Sequence, residues 1–265
     1  MMIGKRGKAV TSICTADAAT ITVRGRNLST ELIGNVGFSE FFFLLVAGHM
    51  PTPNQRFFLD SLLVSIAEHG LTPSVVASRM TLAADPDNLQ GAVAAGILGC
   101  GSVVLGTAEY CSRLLLEAGR RADQGEEPES VARALIEGIR ARKEFVPGFG
   151  HPLHHPVDPR AERILQLADD RGITGRHVTM ARHLRIAVER VWGRPMPMNV
   201  SMPIAAVMLD LDFPRGVVKG IPILARTAGI LAHLAEEKST PIGFLMAFHA
   251  DEAIRYVPPE EDRDA

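Results

Sequence analysis

Cysteine is scarce in this chain. Cys14, Cys100 and Cys111 form an odd set without a C-x-x-C pair, which argues against a disulfide framework or a structural zinc site and fits a reducing compartment. Aromatic residues are only 5% of the total and do not alternate with basic ones, so no base-stacking surface is indicated. The net charge is −2 and no long basic block occurs, which removes the electrostatic footprint of a nucleic-acid binder. A long apolar run is missing too. The most apolar stretch, Ala92 to Leu105, is too short and too glycine-rich to span a bilayer. The start, Met1 to Lys8, is basic, but Thr11, Ser12, Thr15 and Asp17 follow where a signal peptide has its apolar core. The expectation is a cytoplasmic protein with neither nucleic-acid nor membrane partners.

What remains is ordinary globular composition: 265 residues, 46% hydrophobic and 22% charged, enough for one large domain or two modest ones. Helical punctuation dominates. Thr52-Pro53-Asn54-Gln55 reads as an N-cap, a first-position proline and a capping-box Gln. Phe58, Leu62 and Ile66 follow at four-residue spacing, and Gly70 ends that helix with His69 in its last turn. Thr72-Pro73, Pro128 and Asp158-Pro159 open three more, the last two with apolar stripes at Val131, Leu135 and Ile139 and at Ile164, Leu165 and Ala168. Further helices are expected over 181–192, from Pro203 to Leu209, and from Pro222 with Leu224, Ala228 and Leu231 on one face. The only strand signal alternates over Ala19 to Arg26 and suggests a hairpin with Leu28 to Ile33. Gly119 to Glu127 reads as an exposed linker and Pro258 to Ala265 as a disordered tail. The predicted fold class is all-α, ten helices or more, with a short N-terminal hairpin. The expected organisation is a domain inserted into another: 1–108 and 207–265 as the two parts of a large domain, and 109–206 as a smaller helical one.

One segment carries most of the chemistry. Pro147-Gly148-Phe149-Gly150-His151-Pro152 runs on through His154 and His155 to Asp158-Pro159-Arg160. Glycines let a backbone approach a ligand closely and expose its N–H groups. The histidine after them can move protons near neutral pH, and the arginine can hold a carboxylate bidentately. Two other readings stay open from the residues alone. One is a plain Pro/Gly turn between helices. The other is a metal site at His151, His154 and His155, which has no companion Cys or Glu at ligand spacing.

Pro-Gly-Phe-Gly-His followed by Asp-Pro-Arg resembles the citrate synthase family, especially its short citryl-CoA lyase branch, also found as the carboxy-terminal module of ATP-citrate lyase. The likeness runs from about Gly34 to Glu236. Ala67-Glu68-His69-Gly70 is similar to the family's acidic-His segment, whose histidine hydrogen-bonds the oxaloacetate portion of citrate. Arg160 matches a carboxylate-binding arginine. Arg226, in Leu224-Ala225-Arg226-Thr227, matches a second one and would lie near the amino end of its helix, where the dipole favours anions. Taken alone, His69 reads more readily as a helix-terminal cap and Arg226 as a surface charge.

Two positions depart from the pattern. Val104 stands where citrate synthases place the histidine that polarises the acetyl-CoA carbonyl, and valine cannot donate a hydrogen bond. The lyase branch also lacks that histidine, although its Gly-Asp and paired glycines are interrupted here by Ser102, Leu105 and Thr107. Ser201, in Asn199-Val200-Ser201, replaces the family's aspartate, and a hydroxyl is a poor base without a partner. Asp210 and Asp212 are expected at a helix end and the following turn, and not as its substitute.

The resemblance implies an enzyme that cleaves a carboxylated 3-hydroxyacyl-CoA, with citryl-CoA as prototype, yielding acetyl-CoA and oxaloacetate. His151 would exchange the proton, with Ser201 at the aspartate's place. His69, Arg160 and Arg226 would bind the substrate, and Gly148, Phe149 and Gly150 would approach the CoA portion. No metal and no permanently bound cofactor is implied, since the coenzyme A thioester is itself the substrate. Condensation of another acyl-CoA with a 2-oxo acid, and non-catalytic citrate or CoA binding, are the alternatives. A homodimer or dimer-based assembly is implied, and the glycine- and alanine-rich run Gly91 to Gly106 suits close helix packing.

Overall fold

Prolines and capping residues set most of the helices. In a computed structural model, residues 9–101, 103 and 105–257 are described. The expectations for Met1 to Lys8, Ser102, Val104 and the tail from Pro258 lie outside them. Eleven α-helices occur among the described residues: α1 Phe38–Ala47, α2 Pro53–Ala67, α3 Pro73–Ala84, α4 Leu89–Leu98, α5 Thr107–Asp123, α6 Pro128–Ala141, α7 Pro159–Asp170, α8 Arg176–Trp192, α9 Ser201–Asp210, α10 Gly220–Ser239 and α11 Gly243–Ala253. The all-α expectation holds. The capping box at α2 forms as read: Thr52 N–H donates to Gln55 Oε1 at 2.8 Å, and Gln55 N–H to Thr52 Oγ1 at 3.3 Å.

Several local expectations are corrected. The strand Ile21–Val23 pairs with Cys14–Ala16 and with the short Arg26–Asn27, all antiparallel. Leu28–Leu32 is a π-helical turn whose N-cap, Asn27, accepts from Ser29 and Thr30 N–H groups. An Asn followed by Ser and Thr favours such a cap over a second strand. The linker shrinks because α5 continues through Asp123, with Arg120 and Arg121 near its negative end. On α10 the buried face is Ile221, Ala225, Arg226, Gly229, Ile230 and Leu234. Leu231 on the proposed stripe is 43% exposed. The run Arg215–Ser239 is also long and apolar enough to pass a length-and-composition test for a membrane span.

The chain divides into two compact units. One runs through Leu62 and resumes from Ala108 to Val218; the other comprises Leu63–Thr107 and the chain from Lys219 onward. We retain the division at 108/109 and 206/207 as a proposal beside these boundaries.

In the first unit α8 packs on α6 and α9, and α7 on α9. Nearly all of α9 is buried. Asp210, its last residue, accepts from the N–H groups of Gly175, His177 and Val178 and so caps α8 from outside. Burial raises the Asp210 carboxyl, but the His177 ring and these N–H groups outweigh it and hold it below the ordinary range.

In the second unit α3 packs on α4, α10 and α11, around Leu82, Ala92, Ile230 and Leu234. The small residues of the 91–106 run are used here. A Cβ on Gly96 would lie 2.7 Å from Ile230 and 2.9 Å from the Ser74 carbonyl. That close packing is internal to the chain and carries no argument for a dimer. Gly229 is tighter still, since a Cβ there would sit 2.1 Å from the Ala67 carbonyl oxygen. Backbone cannot yield as a side-chain tip can, so Gly229→Ala is expected to cost about 3 kcal/mol or more. A denaturant midpoint unchanged from wild type would refute that packing.

Candidate functional site

In the first unit the loop before α7 is tied down at both ends. Asn199 N–H donates to the Gly148 carbonyl at 2.8 Å, Gly150 N–H to the Pro197 carbonyl at 2.8 Å, and Asn199 Nδ2 to the Gly150 carbonyl at 3.0 Å. Phe149 N–H donates to Val146. The backbone cradle expected at 148–150 is therefore engaged by the chain itself at Phe149 and Gly150. Gly148 has φ +80°, and a Cβ on it would meet Cys111 Sγ at 2.8 Å and Met202 at 2.9 Å. Glycine is required there for packing as well as for its backbone angle.

His151 Nδ1 accepts from the N–H groups of Leu153 and His154 at 3.1 and 3.0 Å. Nε2 lies 3.3 Å from Arg160 Nη2. Arginine has no acceptor, so this contact is a hydrogen bond when Nε2 presents its lone pair, the form in which His151 can take a proton. The rings of His151 and His154 stack at 4.3 Å.

Arg160 is not an open fork. Its Nε donates to Asp158 Oδ1 at 3.0 Å and its Nη2 to Asp158 Oδ2 at 2.8 Å. Asp158 is wholly buried and also caps α7 by accepting from Arg160 N–H, while its Oδ2 takes Val200 N–H at 3.2 Å. Burial raises the Asp158 carboxyl, but Arg160's hydrogen bonds and charge outweigh it and hold it below the carboxylate range. A depressed carboxylate stabilises the fold above its unfolded pKa of about 3.9, and that contribution is lost as pH falls through the folded value. Asp158→Asn is thus expected to cost about 3–5 kcal/mol at neutral pH, because it strands Arg160. The gap from wild type should narrow below about pH 4, as read by urea unfolding at both pH values. A gap independent of pH would exclude the ion pair as its origin.

Ser201 is the first residue of α9 and is 6% exposed; its N–H donates to Asn199 Oδ1 at 3.1 Å. The helix therefore begins two residues before Pro203, and Ser201 sits at its positive end. Asp210 ends α9 and Asp212 lies in the turn after it, as expected. Sequence reasoning named Asp158 and Asn199 only as parts of motifs and missed that they fix the loop. Their signal was the Asp-Pro helix start and an Asn two residues before a serine N-terminus.

The second unit holds the other two residues. His69 lies two positions past the end of α2, not in its last turn, because Glu68 and Gly70 (φ +71°) turn the chain away. Arg226 is 2% exposed, which rules out a surface charge. Its Nη1 donates to Thr72 Oγ1 and its Nη2 to the Ile66 carbonyl, both at 3.3 Å. A buried guanidinium keeps its charge and its planar fork of donors, which suits it to an anion. Burial pushes the thiol of nearby Cys100 up, against the opposing charge of Arg226. All three cysteines are free.

This all-α arrangement has known relatives. Residues 53–243 match the family described as "Citrate synthase, C-terminal domain". The chain belongs to the citrate synthase family. It is similar to putative citrate synthase 2 of Mycobacterium tuberculosis strain H37Rv, 32% identical over 194 residues, covering 71% of this chain and 49% of that one. It is 27% identical to citrate synthase 2 of Bacillus subtilis over 202 residues, 76% of this chain and 52% of that one. The chain thus spans about half the length of the curated relatives it matches. Among solved structures, citryl-CoA lyase from Hydrogenobacter thermophilus is similar over 96% of both chains, with a TM-score of 0.83 and 28% identity. The ATP citrate lyase of Methanothrix soehngenii, solved with citrate and coenzyme A, shares the fold: TM-score 0.78, 19% identity, 99% of this chain and 44% of that one.

Proposed function

We propose that the protein is a citryl-CoA lyase-like enzyme that cleaves a carboxylated 3-hydroxyacyl-CoA, with citryl-CoA giving acetyl-CoA and oxaloacetate. The observation that carries this reading is the similarity to a citryl-CoA lyase over 96% of both chains, together with the His151–Arg160 pair at 3.3 Å. His151 Nε2 takes the proton of the substrate's tertiary hydroxyl. The C–O bond becomes the carbonyl of oxaloacetate, and the electron pair of the breaking C–C bond passes to the acetyl-CoA enolate. The proton taken up by His151, passed on directly or through water, reaches the enolate carbon and completes acetyl-CoA. In condensation the same Nε2–H would be the donor, by microscopic reversibility. Arg160, Arg226 and His69 bind the carboxylates and carbonyl of the oxaloacetate part, and the 148–150 backbone lies along the CoA portion. Ser201, at the positive end of α9, offers a hydrogen bond to enolate charge without acting as a base. The substrate is the coenzyme A thioester, so no permanently bound cofactor or metal enters the scheme.

Purified protein with citryl-CoA should release oxaloacetate, followed by NADH oxidation with a coupled malate dehydrogenase. Absence of release would remove the reading.

A second reading has its own observation: Asp158, the carboxylate hydrogen-bonded beside Ser201, is saturated by Arg160 and Val200 and cannot replace the missing base. That favours citrate and CoA binding without turnover, while the altered Ser201 position, where the acyl group would sit, supports condensation of a different acyl-CoA with a 2-oxo acid. Product from a non-acetyl thioester, or tight calorimetric binding with no turnover, would select between these two. We also propose a homodimer or dimer-based assembly, cytoplasmic in location. The large exposed side chains of Phe244 and Phe248, one turn apart on α11, support an apolar face for a second copy, and sedimentation would measure it.

A further inference from the structure

The turn bearing His69 is held by a chain of side chains that starts in the core of the second unit. Glu68 Oε1 accepts from the N–H groups of His69 and Gly70, at 2.7 and 2.6 Å. Its other oxygen, Oε2, lies 3.0 Å from His233 Nε2 on α10. The opposite ring nitrogen, His233 Nδ1, is 3.2 Å from Arg79 Nη1 on α3. Arginine has no acceptor, so Arg79 donates to Nδ1, and the ring proton is left on Nε2, facing Glu68.

Arg79 is itself immobilised. It is 2% exposed, its Nε donates to Glu237 at 2.6 Å, its Nη1 to Glu236 at 2.7 Å and its Nη2 to the Thr240 carbonyl at 3.1 Å. Glu237 in turn accepts from the N–H groups of Ile242 and Gly243, which open α11. Each link sets the orientation of the next: Arg79 fixes which His233 nitrogen carries the proton, His233 fixes the rotamer of Glu68, and Glu68 fixes the backbone at His69.

We propose that His233 and Glu68, anchored on Arg79, are positioning residues that aim the His69 ring. The proposal deepens the functional reading above, because it rests on His69 binding substrate. The seat of α10 is formed by Ile230, Leu234 and Gly229, apart from the His233–Glu68 pair. A carboxylate and an imidazole at 3.0 Å outside that core are better explained by the turn they orient.

Three variants separate the possibilities. His233→Leu cuts the chain. His233→Gln keeps a donor for Glu68 and an acceptor for Arg79. Glu68→Gln keeps an acceptor for the turn but can set an N–H against His233, and it serves if His233→Leu fails to fold by circular dichroism. The His69 ring resonances of the whole protein, labelled at histidine, are read first. They should shift or broaden in His233→Leu and Glu68→Gln and return to the wild-type position in His233→Gln. With citryl-CoA, kcat/KM should fall about 10- to 100-fold in the first two, mainly through KM, the pattern of a lost ground-state contact, and recover in His233→Gln. Wild-type His69 resonances in a folded His233→Leu or Glu68→Gln protein would overturn the proposal. Moved resonances, with kinetics unchanged both there and in His69→Ala, would uphold the positioning and overturn the substrate role of His69.

Discussion

Replacing His151 with alanine should lower turnover of citryl-CoA by about 10²–10⁴-fold, the loss of a group that passes a proton in the transition state. The structure adds a control that the sequence could not supply. His151 also has a scaffolding task, because its Nδ1 receives the N–H groups of Leu153 and His154. Alanine removes both functions at once. Asparagine places an oxygen where Nδ1 sits and keeps that turn, but it puts nothing at Nε2. If the proton is what matters, His151→Asn falls as far as His151→Ala. Glutamine can return an N–H toward the Nε2 position but has no basic lone pair there. It should recover substrate affinity and little of kcat. Near-wild-type kcat in either the Asn or the Gln variant would leave His151 with a structural role only.

The same loop marks where the sequence was legible. Proline, Asp and Thr at helix starts act through local geometry, so α2, α3, α6 and α7 could be placed from their first residues. The Gly-Phe-Gly-His and Asp-Pro-Arg segments are contiguous, and the resemblance they carry identified the family. What stayed hidden depends on contacts distant in sequence. Asp158 reads as a helix cap, yet it also holds the guanidinium of Arg160 and the N–H of Val200, 42 residues on. Asn199 reads as part of a tripeptide, yet it pins the Gly148–Gly150 backbone. The buried face of α10 was misplaced because Arg226 counts as polar in a periodicity search and actually lies on the inner side. Arg79, the one charged residue of α3, carries the same signal. A single charged residue inside an apolar stripe marks a buried charge with partners more often than an error in the stripe.

Arg226 supplies the second large effect. Its side chain is 2% exposed and donates to Thr72 Oγ1 and to the Ile66 carbonyl, each at 3.3 Å, two long bonds to neutral oxygens. A carboxylate would give it a stronger, charge-assisted partner. Deleting a hydrogen bond between charged groups removes about 1.5–3 kcal/mol, so Arg226→Ala should raise KM for citryl-CoA, and the Kd for citrate, by about 10- to 100-fold. Lysine keeps the charge but not the planar fork, and it should restore only part of the affinity. The stability change has the opposite logic. Removing a guanidinium that burial disfavours relieves a desolvation cost, while the lost volume leaves a cavity. The two partly offset, so the unfolding midpoint should move far less than KM. A folded Arg226→Ala protein that binds citrate as tightly as wild type would take Arg226 out of the site. A protein that loses stability and affinity in parallel would make it a structural residue.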